Sequence, residues 1–334
     1  ESESRGLGDV YKRQFIMIGF DEQFADLPDY ILKCTAKIWE GRDIAALDWH
    51  YHDDLLVRSP TGISHGNIAG KANTMATLTE FPDRQLLAED VVWCEVGKSG
   101  FLSSHRILST ATHNGGVFGP ATGLKVSFRT IADTYCRDNR VWDEWLIRDN
   151  AAIACQLGHT AKEAAQAMID RGDNSMPLTP ATDLVGPYTG YGNTEEWGER
   201  HAFILRQIMA ADFAVIKKEY DRACHLSLAG GQEGHGWAEA DNFWIGLRSA
   251  MPFAEFKVDH QIGRTDPLLS PRSAIRWSLS GRHDGWGRYG PPTGAEIHIM
   301  GLSHAEFGPQ GLRREITLFD DIAIWKQILL QTAQ

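Results

Sequence analysis

Apolar residues recur at helical spacing in two places, Ile31, Cys34 and Ile38 within 28–47 and Phe203, Ile204, Ile208 and Phe213 within 195–220. A stripe at that spacing buries one face of a helix, so both segments are predicted helical. Behind each helical front the pattern turns to that of strands. β-rich stretches run over about 88–96, 100–113, 124–137 and 140–149, and again over about 256–264, 272–283, 295–307 and 311–320. Gly-Pro-x-Thr-Gly and Arg137-Asp138-Asn139-Arg140 stand between strands and supply turn chemistry. A short helix (AKEAAQAMI) is expected in 159–172. The stretch 173–193, rich in Pro, Gly, Thr and Asn, reads as a linker.

The two halves repeat each other. An offset of 170 places His65-Gly66 on His235-Gly236, Pro82 on Pro252, Arg106 on Arg276 and His113 on His283. One inserted residue shifts the offset to 171, where Gly119-Pro120 meets Gly290-Pro291, Glu144 meets Glu315, Asp149 meets Asp320 and Gln156 meets Gln327. Chance does not hold one register that long, so the chain is a tandem duplication. The expected division is a non-native or disordered leader over 1–14, a first domain over 15–158, a helix and linker over 159–193, and a second domain over 194–334. The leader has no apolar stretch and resembles translated sequencing adaptor at the edge of a metagenomic reading frame.

Composition narrows the partners. With 43% hydrophobic and 23% charged residues, the 334-residue chain can bury two ordinary cores. Lys+Arg 33 against Asp+Glu 44 gives a net charge of −11 with no basic patch, which disfavours nucleic acid. No run of 18 apolar residues suggests a membrane span. Five scattered cysteines, none in a CxxC pair, fit ordinary buried thiols in a reducing compartment, and a cytoplasmic location is expected.

A set of motifs in the first half resembles the SnoaL-like (polyketide cyclase-like) branch of the nuclear-transport-factor-2-like superfamily. It comprises Trp39-Glu40-Gly41-Arg42-Asp43, Pro60-Thr61-Gly62 with His65-Gly66, Phe81-Pro82-Asp83, Thr112-His113-x-Gly115, and Gly119-Pro120-x-Thr122-Gly123. Asp143-Glu144-Trp145, Arg148-Asp149-Asn150 and Gln156-Leu157-Gly158 complete it. The resemblance implies an α+β fold of two tandem cone-shaped barrels, helices packed on a curved antiparallel sheet, the copies paired as an internal pseudo-dimer and open to further homo-oligomerisation. In cyclases of this type the acid/base aspartate lies on the final strand, two residues after a His. Alignment puts Glu144 on that His and Leu146 on that Asp, with Thr317 in the second copy, so the family's own aspartate is absent. The epoxide-hydrolase branch pairs an Arg with an Asp two residues on; here Leu108 follows Arg106 at that spacing.

Several residues are candidates for chemistry. His113 and His283 occupy one slot at a strand end, where an imidazole shuttles protons or bonds the adjoining turn. His105 shares strand parity with His113 unless a bulge intervenes, while Arg106 and Arg276 point away as structural or interfacial residues. Glu144 and Glu315 lie on the last strand, where a carboxyl facing an apolar interior has a raised pKa. A rim ion pair with Arg148 or Arg314 is the plain alternative. Asp133 shares a face with Arg129, either as a buried pair or as a proton-transfer site with His113 and Glu144. In the second copy His304 stands at the Asp133 position. Trp93, Tyr135 and Trp142 are expected aromatic walls, with Leu146 and Asp149 also toward substrate. Asp149 and Asp320 equally suit helix N-caps.

No cofactor is expected. His50-Tyr51-His52 offers two imidazoles but no third metal ligand, Gly190-Tyr191-Gly192 lacks the rest of a phosphate loop, and Ser103-Ser104 lacks a nucleophile elbow. The expected function is acid/base chemistry on a small, fairly apolar organic molecule, of lyase, isomerase or cyclase type, centred on the first copy. A non-catalytic ligand-binding or assembly module is the alternative, and a hydrolase of an ester, lactone or epoxide a further one.

Overall fold

In the computed structural model, residues 17–332 are described, and the reading of 1–14 as a leader lies outside the described residues. Each half opens with a helix. Leu27–Thr35 starts at Asp26, whose side chain accepts from the Asp29 N–H, and Glu196–Met209 starts at Glu195, which caps the Trp197 N–H. The strands of the first half are β1 (Tyr51–Ser59), β2 (Gly62–His65), β3 (Gln85–Val96), β4 (Gly100–Thr112), β5 (Lys125–Arg137) and β6 (Arg140–Arg148). Those of the second are β7 (Tyr220–Leu228), β8 (Gln232–His235), β9 (Glu255–Arg264), β10 (Arg272–Arg282), β11 (Glu296–Gly308) and β12 (Gly311–Leu318). Two six-stranded sheets result, ordered β2-β1-β6-β5-β4-β3 and β8-β7-β12-β11-β10-β9. Pairing is antiparallel except where β1 runs parallel to β6 and β7 to β12.

The identical strand order is the duplication made visible, and it extends to side chains. His113 Nδ1 lies 3.1 Å from Thr122 Oγ1, and His283 Nδ1 lies 3.0 Å from Thr293 Oγ1. In both copies the His N–H donates across the turn, to the Leu124 and the Ala295 carbonyl. The eight long strands follow the sequence pattern closely. The hairpin β1–β2 and the helix Gly66–Glu80 do not show in it, because that helix buries polar Asn67, Thr74 and Glu80 rather than an apolar stripe.

Each sheet packs one face on its own helices and the other on its counterpart. Across the seam Ile131, Trp145 and Ile147 meet Met300, Leu302, Ile316 and Leu318. The connecting segment is pinned there. Arg58 donates to Asp183 (2.6 Å) and the Leu184 carbonyl (2.6 Å), Tyr188 N–H donates to Asp143 (2.9 Å), and Leu178 enters the interdomain cluster. Among the described residues no helix is long and apolar enough to cross a membrane.

Candidate active site

The last strand of the first sheet carries a bulge. Tyr135 opposes Asp143 while Cys136 opposes Val141, which leaves Trp142 as an extra residue. The bulge resets the alternation, so Val141 before it and Glu144, Leu146 and Arg148 after it all line one cavity. Strand register orders the sheet side of that cavity into three rungs: Ser103, Thr134 and Glu144; His105, Ala132 and Leu146; Ile107, Thr130 and Arg148. Adjacent rungs lie roughly 7 Å apart along the strands. Tyr30, Cys34 and Trp39 close the helical side, with Tyr51 at the start of β1, around about 710 Å³ of space that includes the solvent at its mouth.

Glu144 is 8% exposed. Burial alone pushes its carboxyl up to about 7, and no hydrogen-bond donor among the described residues holds it. One rung on, burial and the Arg106 charge push His105 down to about 4, so the imidazole is neutral. His105 Nε2, Thr130 Oγ1 and Arg148 Nε are buried in the cavity wall without a hydrogen-bond partner. Unpaired polar atoms in an otherwise apolar pocket are the positions at which a ligand makes its directional contacts.

The raised pKa has a consequence for stability. Native Glu144 keeps its proton up to about pH 7, whereas the unfolded side chain releases it near about pH 4.3. Between those values the native chain binds more protons, so stability falls as pH rises, by on the order of 3 kcal/mol from this group. Asp149 and Asp320, pushed by burial to about 7 and about 6, act in the same sense. Glu144→Gln is expected to flatten the decline in unfolding free energy between about pH 5 and about pH 8. An unchanged slope in urea titrations counts against a buried, proton-holding carboxyl.

The second copy fills the same volume. Its rungs read Ser273, Ala305 and Glu315, then Ile275, Ser303 and Thr317, then Trp277 and Gly301. The Trp277 indole lies in the place of Ile107, packed among Trp244, Phe256 and Phe319, and donates to Ser303 Oγ at 2.9 Å. A Cβ on Gly301 would stand 2.1 Å from that ring. Glu315 is fully buried and accepts from Tyr220 Oη and Thr317 Oγ1, both at 2.7 Å. Gly301→Ala is expected to cost about 1–3 kcal/mol by overpacking. In a Trp277→Ile background that cost should vanish, which a double-mutant cycle in denaturant measures.

The other sequence candidates go elsewhere. His113 shares the face of His105, but eight residues of unbulged strand separate them by roughly 26 Å. Its ring holds the Thr122 turn, and the expected His113–Asp133–Glu144 constellation does not form. Asp133 faces the domain seam, where it accepts from Ser104 Oγ and from Arg276 Nη1 (3.2 Å). His304 completes this network, 2.7 Å from Ser104 Oγ and 3.3 Å from Arg106. Arg129 pairs with Glu89 and Glu233 rather than Asp133. Tyr135 stacks on Tyr188, Trp142 on His52, and Trp93 lies under the Arg264 guanidinium at 3.9 Å. Asp149 caps the helix Asn150–Gln156 and also accepts from the Gly230 and Gly231 N–H groups. Asp320 accepts from Asn150 Nδ2 at 2.7 Å. Of the residues proposed from sequence, Glu144, His105 and Leu146 reach the cavity together. Tyr51, Thr134, Arg84 and Arg148 were not among the site residues. For Arg148 the cue was present, since it lies an even four residues beyond Glu144.

Comparison with known proteins places the first half. Residues 30–157 match the SnoaL-like polyketide cyclase family. Solved structures similar to the chain include IdmH of Streptomyces antibioticus (22% identity, 40% of this chain and 99% of that one, TM-score 0.35). AclR of Streptomyces galilaeus is 23% identical over 40% of this chain and 97% of its own, with TM-score 0.35. A SnoaL-like polyketide cyclase of Agrobacterium tumefaciens is 16% identical over 40% and 98%, with TM-score 0.32. No curated protein matches the chain.

Proposed function

We propose that residues 30–157, which match the SnoaL-like polyketide cyclase family, form an enzyme of cyclase or isomerase type that moves protons on an apolar organic substrate. The observation that carries the reading is Glu144: a buried carboxyl with no hydrogen-bond partner among the described residues, in a cavity, with a pKa of about 7. An acid or base works best when its pKa lies near the operating pH. Glu144 takes a proton from an activated carbon or returns it to one, and His105, held neutral, donates or accepts a hydrogen bond at the substrate oxygen one rung away. Tyr51, Trp39 and Leu146 exclude water from the reacting atoms. The family's aspartate position is Leu146 here, so the acid/base group has moved one rung along the same strand face. The second copy, plugged by Trp277, supports the first through the seam.

The test is proton exchange. Enolisable ketones, 1,3-dicarbonyls and hydroxy-lactones are incubated in D₂O with the protein, and deuterium entry at carbon is followed by NMR. Exchange above the buffer rate with at least one class is expected, and none with any class refutes the reading in favour of a non-catalytic binder.

A further inference from the structure

Arg84 and Arg148 line the same cavity at the end away from Glu144. Arg148 stands opposite Thr130 in the third rung, and Arg84 Nε donates to Ser109 Oγ at 3.0 Å just beyond it. Both guanidiniums lie over the Phe128 ring, at 5.4 and 5.8 Å. Neither forms an ion pair among the described residues. Arg148 Nε and the neighbouring Thr130 Oγ1 are buried and unpartnered. Burial and the Arg148 charge push Arg84 down to about 9, and burial lowers Arg148 as well, opposed by Glu80 and Asp320 only from beyond bonding reach. Two like charges held together in an apolar wall are costly unless an anion joins them.

We propose that Arg84 and Arg148, with Thr130, form an anion subsite that takes the carboxylate of an extended, apolar organic acid. Two rungs, roughly 14 Å along the strand, separate Arg148 from Glu144, so such a ligand is extended between its carboxylate and its reacting carbon. The planar guanidinium suits carboxylate bidentately, and Ile107, Ala132 and Leu146 on the rungs from Arg148 to Glu144 offer the apolar body its contacts. The inference extends the proton-transfer reading of this cavity, naming its substrate class.

The test is equilibrium binding of matched probes: biphenyl-4-carboxylate and five further aryl and alkyl carboxylates, each with its primary amide. At least one carboxylate is expected to bind wild type about 10- to 100-fold more tightly than its amide, the scale of hydrogen bonds to a charged group. Arg148→Gln and Arg84→Gln should each shrink that preference without weakening the amide, and Arg148→Lys should keep part of it. Thermal unfolding of each variant checks the fold, and the wild-type comparison stands even where a variant fails to fold. The proposal is overturned if no carboxylate is preferred over its amide, absence of all binding included, or if the preference survives in the Arg84→Gln/Arg148→Gln double variant. Glu144→Gln should keep the preference. Carboxylate binding without proton exchange therefore refutes the enzymatic reading alone, and exchange without a carboxylate preference refutes the anion subsite alone.

Discussion

Glu144→Gln is expected to lower turnover by about 10²–10⁴, the usual contribution of a general acid or base. The amide keeps the shape of the carboxyl and its place beside Thr134, so the cavity survives, but it neither accepts nor releases the proton. Because the native carboxyl is held above its ordinary range by burial, the variant should be at least as stable as wild type above neutral pH. Glu315→Gln supplies the control. That carboxyl is bonded by Tyr220 and Thr317 in a volume filled by Trp277, so the substitution should cost stability and leave turnover close to wild type. Steady-state rates of the three proteins on one substrate decide it. Equal losses from both substitutions, or none from either, would falsify the assignment of the chemistry to the first copy.

Asp133→Ala is expected to cost about 3–5 kcal/mol, the penalty for stranding one member of a buried ion pair. Its carboxylate joins Ser104 on its own sheet to Arg276 on the other. Arg106 donates to His304 Nδ1, which leaves the Nε2–H facing Ser104 and the Ser104 hydroxyl facing Asp133. Burial, with the Arg106 field, holds His304 well below its ordinary range and therefore neutral. For Asp133 burial outweighs the Arg276 field and raises the carboxyl, so the pair adds little net stability while its rupture is expensive. The cost should fall substantially in Asp133→Ala/Arg276→Met, where no unpaired charge remains. Urea unfolding measures both. A single-variant loss below about 1 kcal/mol, the scale of an exposed pair, speaks against a dry seam.

The repeat, the long strands and the turning of Arg106 away from the His105 face were legible in the sequence, because register and strand parity survive without any tertiary information. So was Glu144, as a carboxyl on the last strand. The bulge at Trp142 was not legible, and it decides which residues of that strand share a face. His113 misled for a physical reason: a preserved pair such as His113 and His283 reads equally as chemistry or as a latch. The preserved Thr122 and Thr293 beside them were the cue for the latch. Asp133 and Arg129 did share a face, but each found a partner distant in sequence, Arg276 and Glu233. The plugging of the second cone had a signature, Trp277 in place of Ile107 with Gly301 in place of Thr130, yet only the cross-strand pairing of Trp277 with Gly301 shows them to be complementary.

The measurement that bears most directly on the first cavity as a site of proton transfer is the titration of Glu144 itself. In protein carrying carbon-13 at the glutamate side-chain carboxyl, the resonance missing from Glu144→Gln identifies the group. It should titrate near about 7 rather than in the ordinary carboxylate range, and should shift when a carboxylate probe binds. A midpoint at about 4–5 would mean a solvated or paired carboxylate, and would contradict the assignment of Glu144 as the proton-transfer group.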